Sequence, residues 1–239
     1  MSTDPKKIFH SADYLFHNEK RLEHLKSLDL SITAGMTVLE VGAGVGDHTS
    51  FFIDRGCVVT TTDGRAECYE TLKQRVGDKA VVCQLDLENP ISNPAIDKKF
   101  DIVYCYGTLY HLSNPEFVLE YLSNRCEHML LLETCVSSNT NKDTNICKEK
   151  ENIHNDPSQS VSGYGCRPTR LWLASKLKTL FEYVYMPITQ PNHSEFPENW
   201  LVPSLVTLSR SVFVCSRELL QNPLLTTTLP MIQPKYSGA

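Results

Sequence analysis

Thr37-Val-Leu-Glu-Val-Gly-Ala-Gly-Val-Gly-Asp-His-Thr49 is the stretch that decides the fold. Val38, Leu39 and Val41 form a short apolar run of the kind that makes a buried strand, and three alternate glycines then turn the chain. Asp47 stands where a side chain would cap a following helix that carries Phe51, Phe52 and Ile53. A strand, a tight glycine turn and a helix start suit a nucleotide-like ligand. Without a Cβ the backbone can approach the ligand, and the helix N-terminus offers free N–H groups.

The spacing narrows the choice. A dinucleotide fingerprint reads G-x-G-x-x-G, whereas Gly42, Gly44 and Gly46 give G-x-G-x-G, with Glu40 two positions ahead of them. The β-rich run Arg55-Gly-Cys-Val-Val-Thr-Thr-Thr-Asp63 follows, ending in a carboxylate about 20 positions after the glycines, where a ribose-binding acid belongs in such a fold.

With these elements in place the chain resembles the class I S-adenosylmethionine-dependent methyltransferases of the small-molecule type. The resemblance rests on Val38 to Gly46, Thr62-Asp-Gly64, Gln84-Leu-Asp-Leu87 and Phe100 to Leu112, and it covers residues 34 to 135. It implies a Rossmann-like, doubly wound α/β fold: a mainly parallel seven-stranded sheet with an antiparallel last strand, an N-terminal helical cap and loop insertions. It also implies S-adenosyl-L-methionine as cofactor and S-adenosyl-L-homocysteine as product. Glu40, Gly42, Ala43, Gly44 and Gly46 would then hold the methionine part, and Asp63 and Gly64 the ribose. Asp86 and Leu87 would meet the adenine, and Tyr106 and Gly107 would line the methionine side.

Composition agrees with one α/β domain. A chain of 239 residues, 41% hydrophobic, can bury one sizeable core. The formal charge of −5 provides no basic field for nucleic acid, so a small-molecule acceptor is the expected partner. No apolar run is long enough to cross a membrane and no signal peptide opens the chain, so a cytoplasmic protein is expected. The nine cysteines are scattered without a C-x-x-C pair, which reads as buried free thiols and no structural metal.

Along the chain, residues 1–33 form a helical preface, 34–217 the main domain and 218–239 a proline- and threonine-rich tail that should lie on the surface. Helices are expected from the glycine turn to Gly56, over Arg65–Val76, after Asn114-Pro115, and over Arg167–Phe181. Strands are expected at Lys79–Asp86, Phe100–Tyr106, His128–Thr134, Tyr183–Ile188 and Ser211–Ser216. Two insertions stand out. The polar stretch 136–165 reads as an unstructured lid or simple surface disorder, and 189–205 reads as a specificity loop.

Methyl transfer from a sulfonium needs positioning more than chemistry, and a base only where the acceptor proton must leave early. His111, just past the fourth strand, is the candidate base. Tyr14, His17, Tyr110, Arg167, Arg170 and His193 are candidates for the acceptor pocket, the arginines as clamps for a carboxylate or phosphate. Two other readings remain open: a nicotinamide-dependent Rossmann oxidoreductase, and a non-catalytic cofactor-binding partner protein. Neither the acceptor, the methylated atom, metal dependence nor oligomeric state is legible.

Overall fold

The computed structural model describes residues 4–137, 142–148, 156–202 and 208–238. Two helices open the chain, α1 (Pro5–Phe9) and α2 (Ala12–Ser27). A β/α alternation follows: β1 (Thr37–Val41), α3 (Thr49–Ile53), β2 (Val58–Asp63), α4 (Ala66–Val76), β3 (Val81–Gln84), β4 (Phe100–Tyr106), α5 (Pro115–Arg125) and β5 (Cys126–Val136). The remainder is β6 (Ile146–Lys148), β7 (Tyr164–Cys166), α6 (Arg170–Leu180), β8 (Tyr183–Pro187), β9 (Ser209–Ser216) and β10 (Leu225–Thr226).

The main sheet has eight strands in the order β10-β8-β9-β5-β4-β1-β2-β3. β1, β2, β3, β4 and β5 pair in parallel, while β9 runs antiparallel between β5 and β8. The order turns back between β1 and β4, and ligands of open α/β sheets bind outside the carboxyl ends of the strands at such a switch point. The fold class is the one expected, with one strand more: β10, from the tail, adds to β8 as an antiparallel edge.

Period-two alternation sends side chains to opposite faces of the sheet. Val38, Ile102, Tyr104, Leu131 and Val214 pack under Leu25 and Leu28 of the N-terminal helical region. Leu39, Val103, Leu130, Leu132 and Phe213 pack under Val118 and Leu122 of α5 and Leu173 and Leu177 of α6. Side-chain caps start these helices: the Asn114 side chain accepts from Phe117 N–H at 3.1 Å, and Thr169 Oγ1, which the sequence reading placed inside the helix, accepts from Trp172 N–H at 3.1 Å.

Three expectations change. Asp47 caps nothing: α3 is a five-residue helix behind His48, and Asp47 instead accepts from Arg75 Nη1 at 2.7 Å and Asn18 Nδ2 at 3.2 Å, tying the glycine turn to α4 and α2. The 136–165 stretch is not structureless where described, because β6 and β7 pair antiparallel as a separate ribbon; 138–141 and 149–155 lie outside the described residues. The tail is not a passive surface run. Gln233 is 1% exposed, and its backbone and side chain bond into the 189–200 loop.

Candidate active site

The glycine turn is held by the end of the neighbouring strand. Ala43 N–H donates to Thr62 O at 2.9 Å, and Gly44 N–H donates to Asp63 Oδ2 at 2.8 Å. Gly42 has φ +64°, and a Cβ there would lie 2.1 Å from Thr108 Oγ1, so both its conformation and its closeness to the loop after β4 demand glycine. The turn therefore joins the ends of β1, β2 and β4 at one place.

An open cleft begins there. It encloses about 1020 Å³ of empty space, counting the part continuous with solvent. Its wall includes Glu40, Gly42, Ala43, Gly44, Asp63, Gly64, Asp86, Leu87, Tyr106 and Gly107, ten of the eleven residues expected to hold the cofactor. Gly46 is not on the wall; a Cβ there would run into Leu72 of α4 at 2.6 Å, so that glycine serves helix packing.

Two carboxyl groups of the cleft are unusually placed. Glu40 is 2% exposed; its Oε2 accepts from Thr49 Oγ1 at 2.6 Å and Thr61 Oγ1 at 2.8 Å, with no salt bridge among the described residues. Burial pushes its pKa up to about 7, against the pull of the two hydroxyls. Asp63 accepts from the Gly44 and Arg65 N–H groups, and burial raises it to about 6. A carboxylate has about four lone-pair sites, so Asp63 keeps acceptor capacity for a ligand hydroxyl. Asp86 is half-buried, accepting from Glu88 N–H and Asn89 Nδ2.

The other half of the wall comes from α2, from β4 and the turn after it, and from Arg210 at the start of β9. Tyr14, His17, Tyr110 and His111, all expected from sequence, are on it. His111 ends a short 3₁₀ turn directly after β4, its ring centroid 4.0 Å from that of Tyr110. His17 is 8% exposed, and burial together with Arg21 and Arg210 lowers its pKa far below the usual histidine range, which keeps the ring neutral.

Three further candidates stand off the wall. Arg167 Nη1 donates to the carbonyls of Tyr110 and Cys166, so it braces the Tyr110 turn. Arg170 stacks on Trp200 at 3.9 Å and donates to Pro230 O, tying α6 to the tail. Their expected role as clamps on an acceptor anion has no support in this placement. His193 stands behind His17, the rings stacked at 4.5 Å with planes 21° apart. His17, His193 and Glu195 bring ligand atoms within 4.8 Å of one another, but lone pairs in two nearly parallel ring planes cannot meet at one ion in this arrangement.

Sequence reading missed the charged centre behind this wall. Glu133, 0% exposed at the end of β5, accepts from Arg21 Nη1 at 2.9 Å through Oε2 and from Arg210 Nη1 at 3.1 Å through Oε1. Arg210 also donates through Nε to Glu195 and through Nη2 to the Tyr110 hydroxyl, and Arg21 donates to Asn18 Oδ1. β9 starts two residues earlier than expected, and because it is antiparallel its first residues lie at the ligand edge. The described part of the 136–165 stretch contributes too: Arg65 holds the Gln159 and Ser160 carbonyls, which places this segment beside Asp63 and Asp86 rather than at the α2 side.

Residues 39–126 match the family model of a methyltransferase domain. No curated protein matches the sequence. Among solved structures, the N-terminal domain of EvdMO1, crystallised in the presence of SAH and D-fucose, is 17% identical with a TM-score of 0.65, covering 87% of this chain and 84% of its own. Magnesium protoporphyrin IX methyltransferase from Synechocystis PCC 6803, with bound SAM, is 13% identical with a TM-score of 0.57, covering 89% of each chain. A putative methyltransferase from a complex with the Haloferax volcanii activator Trm112 is 14% identical with a TM-score of 0.60, covering 91% of this chain and 98% of that one. None of the helices described here is long and apolar enough to cross a membrane. Residues 39–126 thus match a methyltransferase-domain model, and the chain shares the fold of solved methyltransferases.

Proposed function

We propose that this protein transfers the methyl group of S-adenosylmethionine to an oxygen or nitrogen of a small metabolite or natural-product intermediate. The observation that carries the reading is the meeting of Glu40, the Gly42–Gly44 turn, Asp63 and Asp86 on one cleft at the switch point of the sheet. The cofactor fits this chain on one specific ground. Glu40 is a buried carboxyl without a basic partner among the described residues, and an ammonium or sulfonium group would supply the missing charge. Asp63 would hold the ribose, and Asp86 with the Leu87 backbone the adenine.

When bound, the sulfonium supplies an activated methyl group that leaves by in-line displacement. The chain's own task is to orient the acceptor, keep water out and receive a proton where the acceptor is a hydroxyl. His111 borders the cleft directly after β4, where a neutral imidazole can take that proton. Tyr14, His17 and Tyr110 would shape the acceptor end. The relative crystallised with SAH and D-fucose supports a small hydroxylated acceptor.

Calorimetric titration with S-adenosylhomocysteine and with NAD tests the reading. Binding of the sulfur ligand alone is expected; NAD binding without it would replace a methyltransferase by an oxidoreductase. Asp63→Ala is expected to weaken S-adenosylhomocysteine by about 1.5–3 kcal/mol, the worth of hydrogen bonds to a charged group. His111→Ala is expected to cut turnover at least tenfold and leave the dissociation constant for S-adenosylhomocysteine within about twofold. Equal turnover by both proteins removes His111 from the chemistry.

A further inference from the structure

The cleft wall contains buried polar atoms without a hydrogen-bond partner among the described residues: His17 Nε2, Arg21 Nε, His48 Nε2 and the Tyr106 hydroxyl. Such groups cost about 1–3 kcal/mol each when unsatisfied, so their gathering on one wall marks a place where a ligand completes the bonding. They share one region. Tyr106 and Glu133 are register partners at the carboxyl ends of β4 and β5, Arg21 reaches Glu133 from α2, and His48 holds the Tyr104 hydroxyl at 2.6 Å beside Tyr106.

The charge of this region is already cancelled. Arg21 and Arg210 share Glu133, and Arg210 also has Glu195, so two cations face two carboxylates at 2.5–3.1 Å. An anionic acceptor would have to compete with carboxylates that are built in, and a protonated amine would enter beside two guanidinium groups. An uncharged ligand meets neither cost. A flat phenol offers one hydroxyl to a wall that presents an N–H donor, two imidazole nitrogens and a tyrosine hydroxyl. Tyr14 and Tyr110 add aromatic surface at the same end.

From this we infer that the acceptor is an uncharged polyhydroxylated molecule of pyranose type, methylated on a ring hydroxyl, with His17, Arg21, His48 and Tyr106 as its hydrogen-bonding partners. The acceptor oxygen exchanges its hydrogen for the methyl carbon. The donor sulfur keeps the S–C bonding pair as a thioether, and the released proton passes to the imidazole of His111 on the wall. The inference rests on the methyltransferase reading.

Protein saturated with S-adenosylhomocysteine is mixed with methyl pyranosides, their uronic acids, hydroxybenzoates and primary amines, and binding is read by saturation-transfer NMR. The same set is then tested for release of S-adenosylhomocysteine from S-adenosylmethionine. Saturation transfer to the pyranosides, with turnover fastest on them, is expected. Signal or turnover for acids, phenols or amines with none for pyranosides overturns the inference, as does silence of the pyranosides in both assays, which would leave those wall atoms to water. The initial S-adenosylhomocysteine titration separates the failures, because its absence would remove the cofactor reading itself.

Glu195→Gln supplies a second measurement. It leaves Arg210 under-compensated without changing shape, so the preference for uronic acids over neutral pyranosides should rise by about tenfold, as one unit charge at short range would produce. An unchanged ratio contradicts the charge-cancellation argument.

Discussion

Glu40 combines burial with the lack of a cationic partner among the described residues, and this gives the cleft a pH signature. Its pKa of about 7, and that of about 6 for Asp63, lie above the values of the unfolded chain. The stability that these groups contribute is therefore complete below about pH 4 and lost as pH rises through 6 to 7. A positively charged ligand beside Glu40 favours the ionised form and draws the proton off. Affinity for S-adenosylmethionine should thus rise up to about tenfold per pH unit between 6 and 7 and level off above that. Titrations in two buffers of different ionisation enthalpy would read the released proton, and Glu40→Gln should abolish it. Identical heats in both buffers for the unaltered protein would mean that the cation does not meet Glu40. Glu40 and Asp63 were legible because each stands at a fixed offset from the glycine turn, on a strand end. Arg21, Glu133 and Arg210 were not, since they meet across 112 and 77 positions and no local pattern reports such a meeting.

The same contrast governs which segments could be read. α5 and α6 carried their own start signals, and β1, β2 and β4 their apolar runs. β10 has two residues and β6 and β7 three each, too few for a period to show, and they exist because partners hold them. The tail shows what such partners achieve. Gln233 donates from Nε2 to Pro187 O and Thr189 O and accepts from Trp200 at Oε1. Its backbone bonds Glu198 and Gln190, and Lys235 Nζ caps the carbonyls of His193 and Phe196. The loop that carries His193 and Glu195 against His17 is thereby fixed from behind. Gln233→Ala leaves buried carbonyls and the Trp200 N–H unpaired, a cost of about 1–3 kcal/mol in chemical denaturation. It should also raise KM for the acceptor while S-adenosylhomocysteine affinity stays unchanged, since no tail residue borders the glycine turn. Equal KM values would make the tail a stabilising strap without influence on the pocket.

Glu133 links parts of the chain that could otherwise separate: α2 from the N-terminal preface, β5 from the centre of the sheet and β9 from its antiparallel side, all through one fully buried carboxylate. A buried ion pair is poor evidence of net stability, because desolvation offsets most of the Coulomb gain, yet removing one member strands the others. Glu133→Ala leaves two guanidinium groups, each 6% exposed, with one carboxylate fewer between them. The expected loss is about 3–5 kcal/mol. For a domain of this size that corresponds to a fall in Tm of roughly 6–20 °C, and the helical preface should come away with the sheet in a single transition. Replacing all three members by apolar residues, Arg21→Met, Glu133→Leu and Arg210→Met together, should recover much of that loss, since the one charge left without its partner, Glu195, is 25% exposed and reaches water. The triple variant should then keep S-adenosylhomocysteine affinity and lose acceptor turnover, separating what the bridge does for the pocket from what it does for the fold. If Glu133→Ala costs under about 1 kcal/mol in urea unfolding, solvent reaches the two arginines and the bridge does not join α2 to the sheet in the way described.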